Sequence, residues 1–126
     1  MGRRDRHRHL GAVLPQVDRL APGSDLRLAK NRYSAFIGNS SSLESVLRQK
    51  SLDTLLIAGT KTNVCCESTA RDAMMLDFKV VLLSDCTAAL SEDEQRATLE
   101  NVIQQFGDVL TAAEAISLFD RGSARP

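Results

Sequence analysis

At 126 residues, with 16 basic and 16 acidic side chains, the chain has the length of one domain and a formal charge of zero. That balance offers no net attraction for nucleic acid or acidic lipid. No apolar run in the chain is long enough to cross a bilayer, and no hydrophobic signal segment is expected before the domain. Three cysteines, two of them adjacent, make a poor disulfide framework, so a reducing, cytoplasmic setting is expected.

In chain order, residues 1–19 begin with a dense run of Arg and His and are expected to form a basic, mobile segment. His7 and His9 are better explained by that solvated tail than by metal binding, and no metal site or cofactor is expected. Pro22-Gly23 marks a turn, and residues 26–29 are expected to form a short strand leading into Lys30. Ser40-Ser41-Ser42 is a cap cluster for a helix through about Gln49, whose inner face is Leu43, Val46 and Leu47. Residues 55–58 read as a buried strand, 64–76 as a helix and 79–83 as a second strand. Ser91 caps a helix to about Gln105, with Glu94 completing a capping box. Phe106-Gly107-Asp108 ends it; Val109-Leu110 is a last short strand and residues 112–119 a terminal helix. The folded domain is expected over 20–119, followed by a disordered tail at 120–126.

Strands alternating with helices predict an α/β fold, a parallel sheet with helices on both faces. Ligands of such sheets bind beyond the carboxyl ends of the strands. Lys30 and Cys65 each follow a predicted strand, so this architecture gathers them at one rim. Cys65 sits where a strand turns into a helix, near the positive end of the helix dipole, a setting that favours thiolate chemistry. Cys66 lies about 100° around the helix from Cys65 and cannot face the same pocket. With Ala70 and Ala73 it forms a stripe of small residues suited to packing on the sheet. Cys66 and Cys86 are assigned to structure, and Arg71 and Asp72 to tying the helix to its surroundings.

Three blocks carry a resemblance. Gly59-Thr60-Lys61-Thr62-Asn63-Val64-Cys65-Cys66-Glu67-Ser68-Thr69-Ala70-Arg71-Asp72-Ala73 resembles the nucleophile turn of the isochorismatase-like cysteine hydrolases. Lys30-Asn31-Arg32-Tyr33-Ser34-Ala35-Phe36 is similar to the segment bearing that family's catalytic lysine. Val80-Val81-Leu82-Leu83-Ser84-Asp85-Cys86-Thr87-Ala88-Ala89 is similar to the strand and turn that follow the nucleophile helix. The likeness runs from about Leu20 to about Phe119, in the family's order.

The resemblance implies a Rossmann-like three-layer fold and hydrolysis of a C–N bond in a small amide or ureido substrate, through a thioester on Cys65. It implies that Lys30 favours the thiolate, that the Lys61 and Cys65 amides form the oxyanion hole, and that the Thr60–Lys61 peptide is cis. Tyr33, Phe36 and Asn63 are the candidates for contact with substrate. The Lys61 side chain departs from the less polar residue usual in the family.

A second departure concerns the family's aspartate, which ends an N-terminal apolar strand and is followed by x-Gln. Asp5, Asp18 and Asp25 all lie in other settings. The chain is therefore expected to be the C-terminal part of a family member. Two functions follow as expectations: a cysteine hydrolase, or a catalytically inactive truncated member acting as a binding or oligomerisation module. Inner strands missing from the sheet would expose an edge and an apolar face, so a homo-oligomer is expected.

Overall fold

Three apolar segments pair in parallel, β1 (Thr54–Thr60), β2 (Lys79–Ala88) and β3 (Asp108–Leu110), in that order across the sheet. The computed structural model describes residues 25–123. Between the strands run α1 (Leu43–Gln49), α2 (Glu67–Met75), α3 (Glu92–Asn101) and α4 (Ala112–Ser123). A wide π-helical turn, Thr62–Cys66, precedes α2, and a second, Val102–Phe106, ends α3. Both stretches were expected as ordinary helix, and in both the chain is helical but wound more loosely.

The core lies on one face of the sheet. Val80 and Leu82 of β2 meet Cys66, Ala70 and Ala73 from the α2 side, together with Phe36, Leu47, Phe78 and Val102. The small-residue stripe is thus buried as the spacing predicts, since residues without long side chains let α2 approach the strands closely. Alternation along β1 turns Leu55 and Ile57 toward this core and leaves Leu56 and Ala58 exposed. Ala115 of α4 is buried outside the cluster, and α4 contacts β2, placing that helix on the other face. Gly107 permits β3 to lie this close to β2. A Cβ there would collide with the Val80 carbonyl oxygen and stand 2.9 Å from Val80 Cβ.

The ends of the helices explain their lengths. Ser41, not Ser42, caps α1: its Oγ accepts from the Leu43 N–H and donates to the Ala35 carbonyl. After α2, Asp77 adopts φ 72° and the Asp77 and Phe78 amides return to Met74 and Ala73. This is a Schellman closure in a position that glycine fills more commonly. Ser91 accepts from the Glu94 N–H at 3.2 Å, as expected, but Glu94 Oε2 is buried without a partner, so the box closes on one side. The complete box belongs to α4: Glu114 N–H donates to Thr111 Oγ1 at 3.1 Å, and Thr111 N–H donates to Glu114 Oε1 at 2.9 Å.

Two expectations are corrected among the described residues. Residues 26–29 form no strand; Leu26 and Leu28 are exposed, and no strand lies beside them to complete a ladder. Lys30 therefore follows an irregular segment. The tail expected from 120 onward is helical as far as Ser123, because α4 meets no proline before Pro126. The basic segment 1–19, the Pro22-Gly23 turn and residues 124–126 lie outside the described residues.

Candidate active site

The register of β1 on β2 slips just before the site. Ile57 lies beside Leu82, but Gly59 lies beside Thr87 and Thr60 beside Ala88. Two steps along β1 thus correspond to five along β2, and the surplus residues bulge outward. Gly59 absorbs the change of direction at φ 122°, a conformation other residues rarely adopt. The peptide joining Thr60 to Lys61 is cis. The chain then enters the wide turn, where the Lys61 carbonyl accepts from the Val64 and Cys66 amides at 3.2 Å each. Neither of these bonds comes from Cys65, which stands between the two donors.

Cys65 is half-buried and Cys66 is buried. Burial pushes the Cys66 thiol up from the ordinary thiol range and the adjacent Cys65 adds to this, while the Lys30 ammonium acts in the opposite sense. The charge of Lys30 therefore reaches Cys66. Cys86, assigned above to structure, is exposed on the bulge of β2. Its thiol lies above the ordinary range, through slight loss of hydration and then the Asp85 carboxylate, whose Oδ1 accepts from the S–H at 3.6 Å.

Lys30 is held by its own loop: Nζ donates to the Arg32 carbonyl at 2.8 Å and the Tyr33 carbonyl at 3.2 Å. That loop closes on itself where the Asn31 N–H donates to Ser40 O. Ser34 and Ser40 are buried inside it, with Ser40 Oγ donating to Ser34 O at 2.6 Å. Two bonds at Ala35 fix the loop to its neighbours. Its N–H donates to Thr69 Oγ1 of α2 at 3.2 Å, and its carbonyl accepts from Ser41 at 2.8 Å. Phe36 goes into the core and packs on Phe78 with ring centroids 5.5 Å apart, which corrects its expected place on a pocket wall. Tyr33 is 63% exposed and lines, with Ser68, Arg71 and Asp72, a groove of about 380 Å³ along α2. Asn63 is half-buried, its Oδ1 without a partner, and Thr62 beside it is buried with Oγ1 also unpartnered.

A larger groove, about 710 Å³, runs from Ser84 and Thr87 past Ala88 to Gln95 and Arg96. Because Ala88 pairs with Thr60, this groove begins one strand away from the cis peptide. Among the described residues no three His, Cys, Asp or Glu side chains are grouped so as to hold a metal ion. No helix there is long and apolar enough to cross a membrane.

Glu67, for which the sequence pattern assigns no role, is a hub, its side chain only 13% exposed. Its carboxylate accepts from Arg71 Nε and Nη2 at 2.9 and 2.6 Å, from Thr98 Oγ1 at 2.6 Å and from Asn101 Nδ2 at 3.4 Å. Arg71 also lies over the Phe106 ring, 4.6 Å from its centroid. Arg71 thus has the tying role its position suggested. The Glu-x-x-x-Arg spacing was a visible sign of half of this network; the partners on α3 were not visible.

Comparison with known proteins supplies the context for this geometry. The family described as "Isochorismatase domain" matches residues 3–114. A ureidoacrylate amidohydrolase of Caulobacter vibrioides is 44% identical over 100 residues, covering 78% of this chain and 44% of that protein. Nicotinamidase 3 of Arabidopsis thaliana is 34% identical over 94 residues, covering 75% of this chain and 46% of the relative. The chain thus spans less than half the length of these curated relatives. A cysteine hydrolase from Pseudomonas syringae superposes with a TM-score of 0.71 at 36% identity, over 89% of this chain and 62% of that one. An isochorismatase-like hydrolase from Alkaliphilus metalliredigens gives 0.70 at 34% identity, over 79% and 54%.

Proposed function

Because the chain belongs to the isochorismatase family, we propose that it carries the nucleophile half of a cysteine hydrolase acting on a C–N bond of a small amide or ureido compound. Its relatives named as ureidoacrylate amidohydrolase and nicotinamidase hydrolyse compounds of this class. The observation that carries the reading is the placement of Cys65. It lies in the wide turn that follows β1 and the cis peptide and leads into α2, the helix to which the Lys30 loop is docked.

In this reading the Cys65 thiolate adds to the substrate carbonyl carbon, and the carbonyl electron pair moves onto oxygen. The amides of Lys61 and Cys65 receive that negative charge. When the carbonyl re-forms, the C–N bond breaks, and the nitrogen takes a proton from a water molecule and leaves as an amine. The hydroxide so formed adds to the thioester; the C–S bond breaks, releasing the acid and restoring the thiolate. Lys30 keeps the sulfur ionised before the attack. Tyr33 and Asn63 contact the substrate beside the attacked carbonyl. The test is ammonia release from primary amides and ureido acids by the full chain. Activity above background that is lost in Cys65→Ser supports the proposal, and equal release by both proteins contradicts it.

A second reading rests on the sheet edge. Among the described residues β1 has a strand on one side only, and Leu56, Ile116, Leu118 and Phe119 are exposed. A self-associating module would use these surfaces whether or not Cys65 is active. Sedimentation separates the two: Cys65→Ala keeps the association state if this reading holds, and a compact monomer overturns it.

A further inference from the structure

We propose that Thr69 is a positioning residue that holds the Lys30 loop against the nucleophile helix, so that Lys30 acts on Cys65 only while the Thr69 hydroxyl accepts from Ala35. The inference rests on the reading of Cys65 and Lys30 given above.

Three observations support it. First, Lys30 is fixed within its own loop, to the carbonyls of Arg32 and Tyr33, so its ammonium goes where that loop goes. Second, the loop reaches α2 through a specific bond: the Ala35 N–H to Thr69 Oγ1, between residues 34 positions apart in sequence. Third, Thr69 lies one helical turn after Cys65, at i+4, so the acceptor and the nucleophile share one rigid frame. On its other side Ala35 is bound to Ser41 at the start of α1, which fixes the loop against α1 but not against the thiol. This frame sets where the Lys30 ammonium stands relative to Cys65.

A purely structural hydroxyl would behave differently. Thr69→Val keeps the side-chain shape and removes the acceptor, leaving the part-buried Ala35 N–H without its bond. The backbone of α2 and the buried stripe of Cys66, Ala70 and Ala73 are untouched.

The experiment measures the rate of iodoacetamide modification at each cysteine of the full chain at neutral pH, resolved by fragment masses. Lys30→Met should slow Cys65 about tenfold by removing the nearby positive charge. Thr69→Val should slow it to a similar degree, Thr69→Ser should restore it, and the double variant should be no slower than Lys30→Met alone. General loosening moves a different signal, because it raises modification of buried Cys66. If Thr69→Val does not fold, Thr69→Ala serves in its place. A normal Cys65 rate in the valine or alanine variant, or an additive double variant, overturns the inference while leaving the Lys30 assignment standing. An unchanged rate in Lys30→Met overturns the assignment itself.

Discussion

The Thr98 hydroxyl donates to Glu67 Oε1 at 2.6 Å, joining α3 to the first turn of α2 two residues beyond Cys65. Thr98 is 1% exposed, so the bond is made away from water and its loss is not repaired by solvent. Thr98→Val, which keeps the shape, should cost about 1–3 kcal/mol in chemical denaturation by leaving a charged oxygen short of a donor. Thr98→Ser should retain most of that stability. A valine variant as stable as the parent would show that Arg71 and Asn101 suffice for Glu67.

Gly107 offers a sharper packing test. Its extended backbone suits any residue, and only space forbids a side chain: Val80 O, C and Cβ all stand within 2.9 Å of where a Cβ would be. Two of these are backbone atoms of a central strand, which cannot swing aside. Gly107→Ala should therefore destabilise by about 1–3 kcal/mol through overpacking, read as a lowered denaturation midpoint. Gly122→Ala, with nothing within 4 Å, should be neutral or slightly stabilising, since it favours the helix.

Acid tests the α4 cap. The Thr111 N–H donates to the Glu114 carboxylate and holds it below the ordinary glutamate range, with the Thr111 side chain adding to this. A carboxylate whose pKa is depressed on folding stabilises at pH above its unfolded value, about 4. That contribution is lost as pH falls through the folded value. Between pH 6 and pH 3 the parent should lose more stability than Glu114→Gln, measured by thermal unfolding at each pH. Parallel losses would contradict the assignment.

The alternation of strand and helix was legible because β1, β2 and α2 carry unmixed signals: apolar runs bounded by a glycine turn, and small residues at helical spacing. Cys65 was legible as a candidate from the same pattern. Residues 26–29 misled because an apolar alternation marks a strand only where a neighbour completes its ladder, and local sequence does not report neighbours. Phe36 misled for a related reason, since an aromatic beside a turn faces site or core according to what packs on it, here Phe78. Thr69 and Glu67 were hidden because their partners, Ala35, Thr98 and Asn101, lie some thirty positions away.

The most direct measurement is the mass of the full chain quenched during incubation with a panel of small amides and ureido acids, followed by fragment mapping. The account predicts a transient acyl adduct on Cys65, absent from Cys65→Ser and strongly reduced in Lys30→Met. An adduct carried by Cys66 or Cys86, or one that persists in Cys65→Ser, would contradict it.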